Sequence, residues 1–245
     1  MPTRTSLSKT LIILLAATSA LGPASMQILL PALPVIKETF EVSTEVAQLT
    51  LSLSMLAMAL GTLFYGPLSD KYGRKPVMLL GLSITLVGSV FCFLANTIEL
   101  LILGRFIQAF GAAVGLVLAR AIVRDVYGAQ EAARVIATLV MVMVVAPMLS
   151  PALGGELMLR LGWEYVFVVI AIACILISLL LFKNLPETLK EPVPFTGVAA
   201  MIGNYALLFR SPAFCGYAFC VTFVSVLFFS FISAAPEIMV SVLKR

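Results

Sequence analysis

Long charge-free apolar runs, separated by short polar turns, set the pattern of this chain. Such runs occupy residues 10–36, 46–69, 76–98, 100–119, 135–155, 165–182 and 211–236, and only Arg105 interrupts one of them. A bilayer core takes roughly 20 apolar residues as a helix, so each run is long enough to span a membrane. Short connections between the first six predict helices packed as antiparallel neighbours. The first run shares features with a signal peptide: Arg4 and Lys9 precede residues 11–17, and Thr18-Ser19-Ala20 resembles a cleavage site. The run continues to Ile36, far beyond a signal core, which favours an uncleaved span.

Composition agrees. Apolar residues make up 61% of the 245 positions and charged residues 11%, with a mean hydropathy of +1.11. A soluble domain carries about 25% charged residues to wet its surface. The fold class expected is therefore an all-α polytopic membrane protein whose main partner is the lipid bilayer. Its net charge of +4 does not point to nucleic acid, because the cations sit in loops rather than in a patch with aromatics. The chain has no histidine, which excludes His-based zinc sites and Ser-His or Cys-His catalysis. Cys92, Cys174, Cys215 and Cys220 lie in apolar runs without metal spacing. No enzyme, cofactor or metal is expected.

The loop cations orient the spans. With the N-terminus inside, the inner segments hold Arg4, Lys9, Lys71, Arg74, Lys75, Arg120, Arg124, Arg134, Lys183, Lys190 and Arg210. The outer ones hold only Lys37, Arg160, Lys244 and Arg245. This predicts a cytoplasmic N-terminus and, after seven crossings, an outer C-terminus. Residues 1–183 are read as a six-helix bundle and 184–210 as a cytoplasmic linker. Pro186, Pro192 and Pro194 break the linker's first half, and 195–209 suits a helix lying on the membrane surface. Residues 211–245 are read as a seventh helix that begins an incomplete second bundle.

Three constellations carry more than hydrophobicity. The turn between spans two and three reads Gly66-Pro67-Leu68-Ser69-Asp70-Lys71-Tyr72-Gly73-Arg74-Lys75; its glycines allow a sharp turn and Asp70 can cap or pair with the cations. In span four, Arg105 stands with Gln108, Gly111, Ala112 and Ala113. A guanidinium near a helix centre costs roughly 2.5–3.5 kcal/mol on insertion scales, so it needs a polar cavity or a partner. In span five, Pro147, Ser150, Pro151, Gly154 and Gly155 combine helix bending with close backbone approach. Met141, Met143 and Met148 on that span offer a polarizable wall.

Residues 66–75 resemble the signature turn of the major facilitator superfamily. Arg105-x-x-Gln108-x-x-Gly111-Ala112-Ala113 is similar to its helix-four motif, and Pro151-x-x-Gly154-Gly155 to the helix-five motif of its drug:proton antiporters. Leu30-Pro31-Ala32-Leu33-Pro34, residues 120–125 and Gly162-Trp163 look like the Bcr/CflA multidrug-resistance group. The resemblance implies two six-helix halves, with substrate bound between them near the midplane and alternating access by rocking. It gives Gly66, Asp70, Gly73, Arg74 and Lys75 a gate role. Gln27, Arg105 and Gln108 fall in the cavity or coupling region, and Pro147, Pro151, Gly154 and Gly155 in a packing motif.

The function implied is export of drugs or other amphipathic small molecules in exchange for protons, across the inner membrane. Two departures bear on it. The chain ends after span seven, which leaves an inactive truncated fragment, or a half-transporter acting as a homo-oligomer or with a missing C-terminal half, as alternatives. Gln27 stands where relatives often carry an aspartate, and an amide cannot carry a proton. At 1.5 Å per residue, Gln27 and Arg105 both lie about 10 Å below the outer surface. That depth match predicts a hydrogen bond from Arg105 to Gln27.

Overall fold

In the computed structural model, the described residues are 8–189, 203 and 207–237. All their regular structure is helical. The first span is α1 (Lys9–Gln27), a 3-10 turn (Leu30–Ala32) and α2 (Leu33–Thr39). It is followed by α3 (Thr44–Tyr72), α4 (Arg74–Phe93), α5 (Ile98–Val126), α6 (Ala129–Arg160) and α7 (Tyr165–Asn184). These six stretches are each long and apolar enough to cross a membrane. The chain divides into two compact units, residues 1–195 and 196–245. The second unit contains α8 (Pro212–Glu237), the helix expected at 211–236. The proposed surface helix at 195–209 lies largely outside the described residues.

Capping explains where the helices begin. Ser8, Ser43 and Thr97 each accept a bond from the backbone N–H three residues on, which satisfies a first-turn donor of α1, α3 and α5. Thr97 corrects one boundary: the third apolar run extends to Ile98, but α4 stops at Phe93 and Ile98 opens α5. The first run is not one continuous helix either. Pro31 and Pro34 remove amide donors and clash with preceding carbonyls, so the α-helix ends at Gln27 and resumes at Leu33. Its upstream part is not peripheral: Leu11, Leu14 and Leu15 are buried, and the Ser19 hydroxyl donates to Gly115 O across 3.1 Å.

Packing departs from the neighbour rule. Only α4 and α5 are extensive partners among successive full-length spans. The other large interfaces join α3 to α5, α1 to α6, α4 to α7 and α1 to α5. Exchanging spans one, two and three with four, five and six maps the α1–α6 interface onto that of α5 with α3, as an internal repeat would. The correction has a physical cause. In lipid, apolar surface gains nothing from facing another helix, so adhesion comes from van der Waals contact between closely approaching backbones.

Small residues decide which pairs achieve this. A Cβ on Gly61 of α3 would meet Phe110 O at 2.7 Å, and one on Gly115 of α5 would strike the Thr18 backbone of α1. A Cβ on Gly154 of α6 would strike the Ile28 carbonyl. Gly155 faces open space, so within the helix-five pair the close approach belongs to Gly154 alone.

A paired substitution tests this division. Gly154→Ala is expected to destabilise the bundle by about 1–3 kcal/mol through overpacking. Gly155→Ala should change stability by about 0.5 kcal/mol or less. Thermal midpoints of the detergent-solubilised chain compare them directly, and equal losses would contradict the assignment.

Candidate functional site: a buried guanidinium and a charged turn

Two polar assemblies stand out in the first unit. One lies deep between α1, α4 and α5. Arg105 is fully buried, with 0% of its surface exposed. One terminal nitrogen, Nη1, donates to Gln108 Oε1 at 2.5 Å and to the Ser25 carbonyl at 3.2 Å. The Gln108 amide donates in turn to Ser89 Oγ at 2.8 Å. Helix geometry places Arg105 and Gln108 three residues apart on one face of α5. Gly88 of α4 lies against the Gln108 backbone, which brings Ser89 within reach.

The Ser25 carbonyl is available because α1 stops two residues later. The last four carbonyls of a helix lose their amide partners, and the C-terminal end carries partial negative charge. Ile28 N–H closes onto Ala24 O, and Arg105 takes the next carbonyl. The proline-driven break in the first span therefore makes the acceptor that receives the cation. Arg105 does not snorkel to an interface. Its Nε and Nη2 atoms have no hydrogen-bond partner.

Gln27 does not accept from Arg105, contrary to the depth match. Depth fixes a layer, not a direction; residues 25 and 27 point about 200° apart around a helix. Ser25 and Ser89 escaped sequence reading because a serine in an apolar run looks like small filler. The break at Pro31 was the available clue to the Ser25 carbonyl.

The second assembly is the charged turn between α3 and α4. Gly73 joins the helices with φ +100°, a conformation that side-chain-bearing residues rarely adopt, and its N–H bonds back to Ser69 O. Arg74 then folds over the turn. Its Nη1 donates to Ser69 Oγ at 2.6 Å and to Asp70 Oδ1 at 2.5 Å, while Nε donates to Asp125 Oδ2 at 2.8 Å. Asp125 comes from the last turn of α5. Lys75 Nζ donates to the Phe182 carbonyl near the end of α7 at 2.8 Å and lies 5.1 Å from the Phe182 ring centre. Asp70, Gly73, Arg74 and Lys75 thus meet, whereas Gly66 packs on Val117 of α5 further into the helix.

Glu187, just past α7, was not foreseen. Burial works to raise the pKa of its carboxyl, but backbone N–H donors of Leu189, Arg74, Lys75 and Thr188 outweigh it and hold the group below the ordinary carboxylate range.

The helix-five residues form neither assembly. Ser150 donates to the Ala146 carbonyl one turn back, while Pro147 and Pro151 deprive the Met143 and Pro147 carbonyls of their amide partners in α6. Met141 and Met148 are exposed, while Met143 is half-buried with its sulfur 3.9 Å from Arg120 Nη2.

The first unit is thus a helical bundle long and apolar enough to span a membrane, with a motif-bearing charged turn and a buried cation among its spans. The Major Facilitator Superfamily model matches residues 15–243, and the chain belongs to that family. It is 34% identical over 91% of its length to the MFS-type transporter YdgK of Bacillus subtilis (strain 168), covering 56% of that protein. It is 30% identical over 94% of its length to a bicyclomycin resistance protein homolog of Haemophilus influenzae, covering 58% of it. The chain spans about half the length of the curated relatives it matches. A bacterial homolog of the human lysosomal transporter Spinster, inward-facing and unoccupied, superposes with a TM-score of 0.67 at 23% identity. That match covers 93% of this chain and 55% of the other, and shows the fold.

The buried network makes an ordered prediction. Gln108→Leu removes a neutral acceptor from a buried charge and should cost about 1.5–3 kcal/mol. Ser89→Ala should cost about 1 kcal/mol, and Gln27→Ala should leave stability unchanged within about 0.5 kcal/mol. Unfolding midpoints in detergent rank the three; a loss at Gln27 matching that at Gln108 would contradict the network.

Proposed function

We propose that this chain forms the N-terminal bundle of an exporter of drugs or other amphipathic small molecules. It works by alternating access in a cell inner membrane, with its N-terminus in the cytoplasm. The observation that carries the reading is Arg105: a fully buried cation whose described partners are neutral and whose Nε and Nη2 remain unpartnered. A residue kept only for packing would not retain such a cost in a membrane, so the free donors are reserved for something that arrives during transport. The relative named for bicyclomycin resistance supports a drug-like cargo.

Coupling to protons is part of the proposal, with one restriction. No acidic residue lies in the middle of the apolar runs, and Gln27 does not titrate. The coupling acid is therefore sought outside these span centres. Asp70, Arg74 and Lys75 serve the gate at the cytoplasmic end, where Asp70 and Asp125 hold the Arg74 guanidinium. The small-molecule path needs a wall opposite this bundle, which a second six-helix half or another copy of the chain would supply.

Retention of a fluorescent lipophilic dye in efflux-deficient cells tests the proposal. Cells expressing the chain should retain less dye, and Asp70→Asn and Arg105→Ala should each restore retention to the vector level at equal membrane abundance. Unchanged retention with the protein in the membrane would overturn export by these 245 residues.

A further inference from the structure

Helix α4 starts without a cap of its own. Its N-cap position is Gly73, which has no side chain to accept from the first-turn amides. The acceptor comes from a distant segment. Glu187 Oε1 takes the Arg74 N–H at 2.9 Å and Oε2 takes the Lys75 N–H at 3.2 Å. The same Oε1 accepts from Thr188 N at 2.9 Å and Leu189 N at 3.0 Å, so one carboxylate organises both the helix start and its own strand of chain.

The local sequence explains how that carboxylate is delivered. Pro186 stops α7 and keeps Leu185 extended, at φ −86° and ψ 111°. Leu185 is buried in the bundle core, which pins the strap at its root. Glu187 follows two residues later, and the Thr188 hydroxyl reaches Asp125 Oδ2 at 3.3 Å, the atom that also receives Arg74 Nε. Lys75 completes the exchange by capping α7 through the Phe182 carbonyl. Helix α4 and the end of α7 therefore cap each other.

Gly73 is required here for a second reason besides its φ angle. A Cβ at that position would stand 2.5 Å from Glu187 Oε2 and 3.0 Å from its carboxyl carbon. The turn is glycine where the strap's carboxylate needs the space.

We infer that Glu187 is a positioning residue of the signature turn: it locks residues 73–75 and the strap 185–189 into one unit, so that neither is displaced without the other. The strap is the root of the sequence leading to α8. Movement of the turn is thereby passed to the strap at 185–189, and Arg74 is held in place from its backbone as well as from its guanidinium. This inference rests on the fold and the turn, not on the export reading, and its test needs no transport assay.

Protonation should release the lock. The folded-state pKa of Glu187 lies below its unfolded value, so the stability it contributes is present above the ordinary carboxylate pKa. That contribution is lost as pH falls through the lowered folded value. The charged groups on the elements meeting here are Asp70 and Lys71 of α3, Arg74 and Lys75 of α4, Arg124 and Asp125 of α5, and Lys183 of α7. Asp70 and Asp125 are carboxylates in the same cluster, so an acid transition of the native chain alone would not identify Glu187.

Limited trypsin digestion of the purified chain in detergent, with fragments identified by mass, reads both sides of the lock. The Arg74–Lys75 bond reports the turn and the Lys183–Asn184 bond reports the end of α7 and the strap. Glu187→Gln replaces one acceptor oxygen with a donor facing other donors. It should speed cleavage at both bonds together, by about tenfold, through local opening. Gly73→Ala should do the same by displacing the carboxylate, and it serves if the first variant does not fold. The thermal midpoint supplies the pH signature: the gap between native chain and Glu187→Gln should be present near pH 7 and narrow as pH falls below the ordinary carboxylate range. Cleavage rising at Lys183 alone, at neither bond, or a gap independent of pH would overturn the inference.

Discussion

Contact between backbones is the constraint on which the rest of this structure depends. Lipid offers an apolar surface as good a solvent as another helix does, so burial of leucines cannot by itself hold the bundle together. What remains is dispersion at short range, and that requires positions without side-chain bulk. Helix α5 meets the requirement on several sides: Gly104 and Gly111 towards α4, Ala113 towards Gly61 of α3, and Gly115 towards α1. It is the most thoroughly buried of the long spans together with the first. Its central position follows from that composition rather than from its hydropathy, since α7 is more hydrophobic and packs against fewer partners.

The same close packing determines the chemistry that α5 can carry. Arg105 could reach water from an exposed face by extending its side chain. Enclosed between α1 and α4, it has to find acceptors in the protein. The broken first span provides a carbonyl, and Gln108 provides an amide oxygen that Ser89 orients. Each element of this arrangement depends on another: the Pro31 break frees the carbonyl, Gly88 lets Ser89 approach, and the helical register aligns Gln108 with Arg105.

This dependence explains which features were legible in the sequence. Charge-free runs predicted all six spans of the first unit and the helix at Pro212–Glu237, because insertion depends on local composition. The turn at residues 66–75 and the pair Arg105 and Gln108 were legible because their chemistry is concentrated within a few positions. Helix partners were not. Sequence proximity suggested neighbours, whereas the pairing follows glycines and alanines whose counterparts lie on non-successive spans. Glu187 was hidden for the same reason: it acts 113 residues from Arg74. The Gln27 expectation failed on direction around the helix, a quantity that counting residues from a membrane surface does not contain.

The two arginines show how one side-chain type is set to different tasks by its surroundings. Arg74 stands at the end of the spans and is held by two carboxylates, a hydroxyl and, through its backbone, a third carboxylate. Carboxylates are affordable there because water still reaches the site; Asp70 keeps 44% of its side chain exposed. In the interior, a carboxylate beside Arg105 would bring a desolvation cost of several kcal/mol and would neutralise the cation. Carbonyl, amide and helix end together satisfy part of the guanidinium without cancelling its charge. The turn is built to hold its arginine still, and the bundle centre to keep its arginine charged with donors to spare. Exchanging the two environments would cancel the charge at the centre and leave the turn's arginine without its carboxylates, so the placement of neutral and ionised acceptors decides which arginine is fully satisfied and which keeps free donors.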